Sequence, residues 1–360
     1  LANLKNGVSL TVDGKNVEAL EGMSILQAAR AAGIEIPTLC YLEGISDIGS
    51  CRLCVVEVEG TEPLVTACNT KAIEDMVVQT RSERVVEARK KVLKLLLSEH
   101  NRECFSCEGN GCCDLQKYCN EYGVETEGNY AGGRQELGRK KIDDHPFLSY
   151  DPEKCIHCQR CVMTCAHATG RHAISLGKAG GYTLIKAPFG PDWKSTLCES
   201  CGNCAQACPT GALVEKRKKN YRPWEVTRVR TTCPHCATGC QMDLIVKDGK
   251  IVDCEGADGP SNHGLLCVKG RSGSFDFVDC DERIRYPLIK NKETGEFERA
   301  TWDEALDLVA SKFTEIRDNF GGEALAGFAC SRSCNEDIYM LQKMVRAAFK
   351  SNNTDNCASV

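Results

Sequence analysis

The sequence contains no apolar run long enough to cross a bilayer as a helix. Its opening residues, LANLKNGVSL, lack a basic stretch followed by a long apolar one, and no twin-arginine leader occurs. The expected location is therefore the cytoplasm. Basic residues are not in excess: the formal net charge is −5 and the pI about 5.9, which gives no electrostatic ground for a nucleic-acid partner. Aromatic residues are scarce at 6% against 42% hydrophobic overall, so cores can form but only modest ones.

What the chain has instead is cysteine, 26 in 360 residues. Secreted disulfide scaffolds and intracellular metal proteins both reach such density. Without an export signal the second reading is favoured: reduced thiols that bind metal.

The expected class is α+β multidomain. Residues 1–80 read as a small β-rich domain. Asp13-Gly14 between SLTV and KNVEAL is a hairpin signal. A helix is expected from Ser24 to Ala32, capped by Gly33, and strands at Val55–Val58 and Met76–Gln79. This mix suits a β-grasp ferredoxin-like fold. Thr80 and Glu83 have capping-box spacing, predicting a helix over 80–100 with Val85, Val86, Val92, Leu93, Leu96 and Leu97 on its apolar side. Residues 100–150 read as polar loop. An internal cysteine repeat fills 150–215, and Lys216-Arg217-Lys218-Lys219 marks a solvated linker. Beyond it, Asp248-Gly249 signals a second hairpin. Thr301 and Glu304 cap a helix to Asn319, Ala324–Ala329 reads as a buried strand, and Asn335–Lys350 as a helix. The expected domains are 1–80, 81–145, 146–220, 226–285 and 286–360.

The cysteines group by spacing. Cys40, Cys51, Cys54 and Cys68 read C-x10-C-x2-C-x13-C, four thiolates for one [2Fe–2S] cluster, with Gly49 and Ser50 letting a loop wrap it. A zinc site is the competing reading, but zinc sites usually show two close pairs. His100, Cys104, Cys107 and Cys113 form H-x3-C-x2-C-x5-C, with Cys112 a rival to Cys113. Cys155, Cys158, Cys161 and Cys165, then Cys198, Cys201, Cys204 and Cys208, each read C-x2-C-x2-C-x3-C; proline follows Cys208, but Ala166 follows Cys165. Cys233, Cys236, Cys240 and Cys267 read C-x2-C-x3-C-x26-C and lead into Val268-Lys269-Gly270-Arg271. These sets use nineteen of the 26 cysteines plus His100. Cys112, Cys119, Cys254, Cys280, Cys330, Cys334 and Cys357 are left, by default small buried hydrophobes.

The first two sets resemble the N-terminal domains of complex I large subunits and [FeFe]-hydrogenases. In those families the second set is a one-histidine, three-cysteine [4Fe–4S] site, and the family spacing selects Cys113. The repeat resembles the two-cluster bacterial ferredoxin, in which the fourth cysteine of each run ligates the other cluster. That implies Cys208 with Cys155, Cys158 and Cys161, and Cys165 with Cys198, Cys201 and Cys204. The last set resembles the N-terminal domain of the molybdopterin oxidoreductase superfamily, where a cluster lies beside a molybdopterin guanine dinucleotide. By that resemblance Lys269 lies between cluster and pterin and passes electrons.

Several families share parts of this arrangement. [FeFe]-hydrogenases share the first four sites, but the chain departs from them at Thr231. Complex I large subunits usually lack the tandem ferredoxin, and periplasmic nitrate reductases carry an export signal and no N-terminal ferredoxin domains. Asn352 to Val360 is similar to the segment leading to the catalytic residue of molybdenum- or tungsten-dependent formate dehydrogenases. Ser331-Arg332-Ser333-Cys334-Asn335-Glu336 is similar to a segment near their cofactor, which makes Arg332, Asn335 and Glu336 candidate pterin contacts. The metal ligand, selenocysteine or cysteine, is expected just after Val360, so Cys357 is assigned no metal. A Leu start and an end at that position fit literal translation of a UUG start and a UGA selenocysteine codon; a deliberate excision or degraded fragment is the competing explanation.

The resemblance implies a catalytic subunit of a formate dehydrogenase or carbon dioxide reductase. Its cofactors would be one [2Fe–2S] cluster, four [4Fe–4S] clusters and molybdenum or tungsten bis(molybdopterin guanine dinucleotide). Its partners would be iron–sulfur, flavin/NAD(P) or hydrogenase modules. A different-class alternative is an electron-transfer subunit with no active site, against which stands the truncated α/β segment.

Overall fold

The computed structural model describes residues 7–125, 140–179, 182–188, 192–194, 196–217, 221–273 and 275–357. The chain divides into two units, one ending at Val226 and one starting at Thr227.

The first unit opens with β1 (Gly7–Val12) and β2 (Lys15–Leu20), joined through Asp13 and Gly14, both at positive φ as the hairpin signal requires. Helix α1 (Ile25–Ala31) follows, with Ser24 and Gln27 forming a reciprocal capping box. Strands β3 (Val55–Val58), β4 (Val65–Thr66) and β5 (Val77–Gln79) complete a mixed sheet in the order β2-β1-β5-β3-β4, in which β1 and β5 run parallel. Alternate residues Leu10, Val12, Val17, Ala19, Val56 and Val78 point into one core against α1.

Helix α2 (Glu83–Glu99) starts two residues later than the Thr80 signal suggested. Its cap is Ser82, whose hydroxyl accepts from the Val85 N–H at 3.3 Å. Thr80 is committed elsewhere: its N–H donates to Asp13 at 2.7 Å and its hydroxyl at 2.5 Å, which ties the end of β5 to the β1–β2 turn. Residues 100–150 are less loop-like than expected. Helix α3 (Asp114–Glu121) buries Leu115 and Cys119, spaced i, i+4, against Leu93 and Leu97 of α2.

The tandem cysteine region is closed by β6 (Leu148–Tyr150) pairing antiparallel with β9 (Leu213–Glu215). Between them lie helix α4 (Arg160–Met163), the hairpin β7 (Ser175–Ala179)–β8 (Tyr182–Lys186), and α5 (Asn203–Gln206). The expected linker is partly structural. The Lys216 N–H donates to the Phe147 carbonyl, and its ammonium pairs with Asp143 at 3.2 Å. Lys218 and Lys219 lie outside the described residues.

The second unit begins with the sheet β10 (Thr227–Thr232), β11 (Gln241–Lys247) and β12 (Lys250–Gly256), all antiparallel. Asp248 and Gly249, both at positive φ, make the expected turn between β11 and β12. Helix α6 (Val268–Ser272) and the pair β13 (Leu288–Lys290)–β14 (Phe297–Arg299) lead to α7 (Trp302–Phe320), capped by Thr301 and Glu304 as predicted. The strand expected from Ala324 is shorter, β15 (Gly327–Ala329), and is preceded by a 3-10 turn. Helix α8 (Asn335–Met344) then loosens into π-type bonding to Phe349 and returns the chain to β16 (Thr354–Asn356), parallel to β15. Gly327 is required there, because a Cβ would stand 2.6 Å from Val345 Cγ2.

Leu93 is fully buried in the core that also holds Cys40 and Cys51. Truncating it (Leu93→Ala) is expected to destabilise the first unit by about 3 kcal/mol, read as a lowered urea midpoint of the metal-loaded chain.

Candidate metal centres

Cys40, Cys51, Cys54 and Cys68 are all buried where the first sheet meets α2. The Cys51 thiol donates to Cys40, which lowers Cys40 and raises Cys51; Cys68 donates to Cys54 with the same pair of effects. Cys54 and Cys68 also feel the charge of Cys40, so the four sulfurs form one electrostatic group.

His100 is buried at the C-cap of α2 and opens the second cysteine loop. Cys113 caps α3 and feels the charges of Cys107 and Cys104, while burial pushes its thiol up to about 12. Cys112 is exposed and points its thiol at the Gly109 carbonyl. The structure thus brings Cys113 into one electrostatic group with Cys104 and Cys107.

The two repeat runs share a backbone device. In the first, His157 and Gln159 take left-handed φ of 53° and 59°; in the second, Ser200 and Gly202 take 58° and 73°. That conformation turns the His157 N–H onto Cys155 Sγ and the Ser200 N–H onto Cys198 Sγ, each at 3.4 Å. The fourth cysteines cross over. Burial raises the Cys158 and Cys161 thiols first, and the charge of Cys208 adds to it; burial likewise raises Cys204, with the charges of Cys201, Cys198 and Cys165 behind it. Cys165, Cys198, Cys201 and Cys204 line one cavity.

In the second unit burial raises Cys240, which also feels Cys233, Cys236 and Cys267. Cys236 is lowered, first by hydrogen bonding with Thr238, then by the positive charges of Arg332 and Lys269. Lys269 lies on α6, and Arg332 lies in the loop after β15, between that strand and α8. Asn335 and Glu336 begin α8 and are exposed.

The donor sets suit iron–sulfur clusters. Thiolates are soft ligands, and each iron of a cluster takes its own. Among the described residues no three candidate groups close on a point that one ion would occupy. The sulfurs surround space instead, most clearly at the Cys165 cavity.

Several residues at these sites carried no sequence signal. Asn262 is buried; its side chain accepts from the Gln241 N–H and donates to the Gln241, Ala257 and Leu265 carbonyls, pinning the loop before Cys267 to the strand after Cys240. Tyr150 accepts from the Ile185 N–H at 3.2 Å and hydrogen-bonds Cys155. Gly211 packs its Cα face on Gly109 and Cys107. The Asn262 turn stands in a Ser-Asn-His-Gly stretch whose composition marks a turn, which is the one legible hint.

Of the leftover cysteines, Cys119 and Cys254 are buried, as the default reading expected. Cys112, Cys330, Cys334 and Cys357 are exposed, because they stand in loops or at strand ends rather than on core faces. Cys357 follows β16, and its sulfur lies 3.3 Å from Ser331 Oγ and 3.8 Å from Cys330 Sγ. Ala358 to Val360, and the catalytic position expected after them, lie outside the described residues.

Two predictions arise from this geometry. A Cβ at Gly211 would stand 2.4 Å from Cys107 Sγ, so Gly211→Ala is expected to lose one cluster, about four iron atoms per chain by metal analysis. Ser331 hydrogen bonds lower Cys357 to about 7, so its thiolate predominates above that pH. Alkylation rate against pH should show that midpoint, and Ser331→Ala should move it up toward the usual thiol value near ~8.5.

Comparison with known proteins orders these sites. Residues 5–83 match the 2Fe-2S iron-sulfur cluster binding domain, and 89–127 the NADH-ubiquinone oxidoreductase-G iron-sulfur binding region. Residues 145–214 match the ferredoxin-like domain of NADH-quinone oxidoreductase subunit 3, so, contrary to the expectation above, the tandem ferredoxin does not separate this chain from complex I. Residues 226–276 match the molybdopterin oxidoreductase Fe4S4 domain and 283–360 the molybdopterin oxidoreductase family. The chain is 38% identical over 97% of its length to the NADPH-Fe(3+) oxidoreductase subunit alpha of Geobacter sulfurreducens, and 34% over 98% to a G-type NADH-quinone oxidoreductase subunit of Rhizobium meliloti. A provisionally named formate dehydrogenase of Staphylococcus haemolyticus is 29% identical over 97% of the chain. The chain spans about 40% of the length of these relatives. A crystal structure of an NAD+-reducing [NiFe]-hydrogenase in the H2-reduced state matches with TM-score 0.55 and 31% identity, over 60% of this chain and 90% of that one. In order, the chain therefore carries regions similar to [2Fe–2S] and [4Fe–4S] domains, followed by a region similar to the N-terminal part of a molybdopterin oxidoreductase.

Proposed function

We propose that this chain is the relay portion of a catalytic subunit that oxidises formate or reduces carbon dioxide, in the cytoplasm. It passes single electrons between a molybdenum- or tungsten-pterin site and partner modules. The observation that carries the relay is a direct backbone join inside the first unit. The Asp114 N–H, next to Cys113, donates to the Pro209 carbonyl, next to Cys208, at 2.9 Å. One candidate site therefore begins where another ends.

Cys40, Cys51, Cys54 and Cys68 would hold a [2Fe–2S] cluster. His100, Cys104, Cys107 and Cys113 would hold the first of four [4Fe–4S] clusters, and the two crossed ferredoxin sets and the Cys233–Cys267 set the others. Arg332, Asn335 and Glu336 stand where ligands meet open α/β sheets, at the carboxyl end of a parallel strand, and would contact the pterin group. Bound there, that group supplies the two-electron exchange between formate and carbon dioxide. Lys269 and Arg332 put positive charge beside Cys236, favouring an electron on that side. The His157, Ala173 and Ser200 N–H groups, donating to the Cys155, Cys165 and Cys198 sulfurs, would help set the potentials of the ferredoxin pair.

A second reading is equally supported: an electron-transfer protein of the NADH-quinone oxidoreductase G type. The Geobacter and Rhizobium relatives favour it. A viologen assay on the native complex separates the two. Formate-dependent reduction, with molybdenum or tungsten bound, is expected. Reduction with NAD(P)H and none with formate would assign the second reading.

A further inference from the structure

Arg89 is among the largest side chains that the fold hides completely, 2% exposed. Its guanidinium donates to the Val55 carbonyl at 2.9 Å and to the Tyr122 hydroxyl at 2.8 Å, and it lies 6.0 Å from the Tyr122 ring centroid. Both acceptors are neutral. Its Nε is buried without a hydrogen-bond partner, and among the described residues no carboxylate pairs with it. A guanidinium does not shed its proton, and burying an uncompensated charge is strongly disfavoured. The fold therefore needs an anion nearby that its carboxylates do not provide.

The surroundings say which. Arg89, Leu93 and Leu97 share one face of α2, and the two leucines pack in the same core as Cys40 and Cys51. Val55, which accepts from Arg89, directly follows Cys54. Tyr122, the other acceptor, follows α3, the helix that Cys113 caps. Arg89 thus bridges the strand leaving the first thiol set and the helix leaving the second. A cluster held by four thiolates carries net negative charge, and accepting an electron makes it more negative.

We propose that Arg89 is the internal counter-charge of the Cys40–Cys51–Cys54–Cys68 cluster, a positioning residue that raises its reduction potential on the side facing the His100–Cys113 site. This rests on the reading that those four cysteines hold a cluster. Net charge and burial are among the factors that set such potentials.

The test is a redox titration of the full chain in its native complex, following the [2Fe–2S] signal by electron paramagnetic resonance. Arg89→Met should favour the oxidised form at least tenfold, a midpoint lower by about 59 mV for one electron. Arg89→Lys should restore the midpoint, and Tyr122→Phe, which keeps the charge, should leave it unmoved. A folded Arg89→Met with its signal intact and its midpoint unchanged overturns the inference alone. A wild-type chain without a [2Fe–2S] signal overturns the reading beneath it. Should Arg89→Met fail to hold the cluster, Arg89→Lys decides: a loaded cluster at the wild-type midpoint supports the charge, whereas its loss assigns Arg89 a purely structural role.

Discussion

A thiol must lose its proton to bind iron, and burial opposes that loss; the architecture of this chain answers this conflict. Cys158, Cys161 and Cys204 are all held high by desolvation, the first cause in each case, and neighbouring sulfurs add to it. A protein that only needed buried cysteine would leave them as small hydrophobes, as it leaves Cys119. Here each run instead bends its backbone into the left-handed region to aim an amide at sulfur. Strained backbone of this kind persists only where the surroundings hold it, and the β6–β9 pair and the Asp114–Pro209 bond supply that hold.

The hydrophobic cores follow from the same requirement. Leu39, Leu53, Leu93, Leu97 and Leu115 do not form a core with sulfurs at its rim; Cys40, Cys51 and Cys158 are members of it. Apolar packing shields Cys40, Cys51 and Cys158 from water and places neighbouring sets against a shared wall. In the tandem region Tyr150 stacks on Trp193 at 5.9 Å while its hydroxyl reaches Cys155, so one side chain serves packing and sulfur together.

The crossing of Cys165 and Cys208 was implied only by resemblance, whereas the cysteine runs were legible because their spacing is local. So were the two Asx-Gly hairpins and the Thr301 cap, each fixed by neighbouring residues. What the sequence hid depends on distant partners. Thr80 and Glu83 had the right spacing for a cap, yet Asp13 claimed Thr80 from across the sheet. The helix Asp114–Glu121 was missed because residues 100–150 read as polar loop, and nothing in the spacing marked the ligand Cys113 as a cap as well. Arg89 and Asn262 act through backbone carbonyls far away in sequence, and no pattern announces such a bond. Near Cys357 the motif assigned no metal, while in the structure hydrogen bonds from Ser331 hold its thiol below the usual value.

The crossing of Cys165 and Cys208 has a consequence for synthesis. A chain leaving the ribosome presents Cys155, Cys158 and Cys161 long before Cys208, and Cys165 before any member of the second run. With the proposed pairing of ligands, neither group could close around iron until the whole repeat has emerged and β9 has found β6. On that pairing, biogenesis of this region is a single late event, in which the two halves of the repeat mature together or not at all.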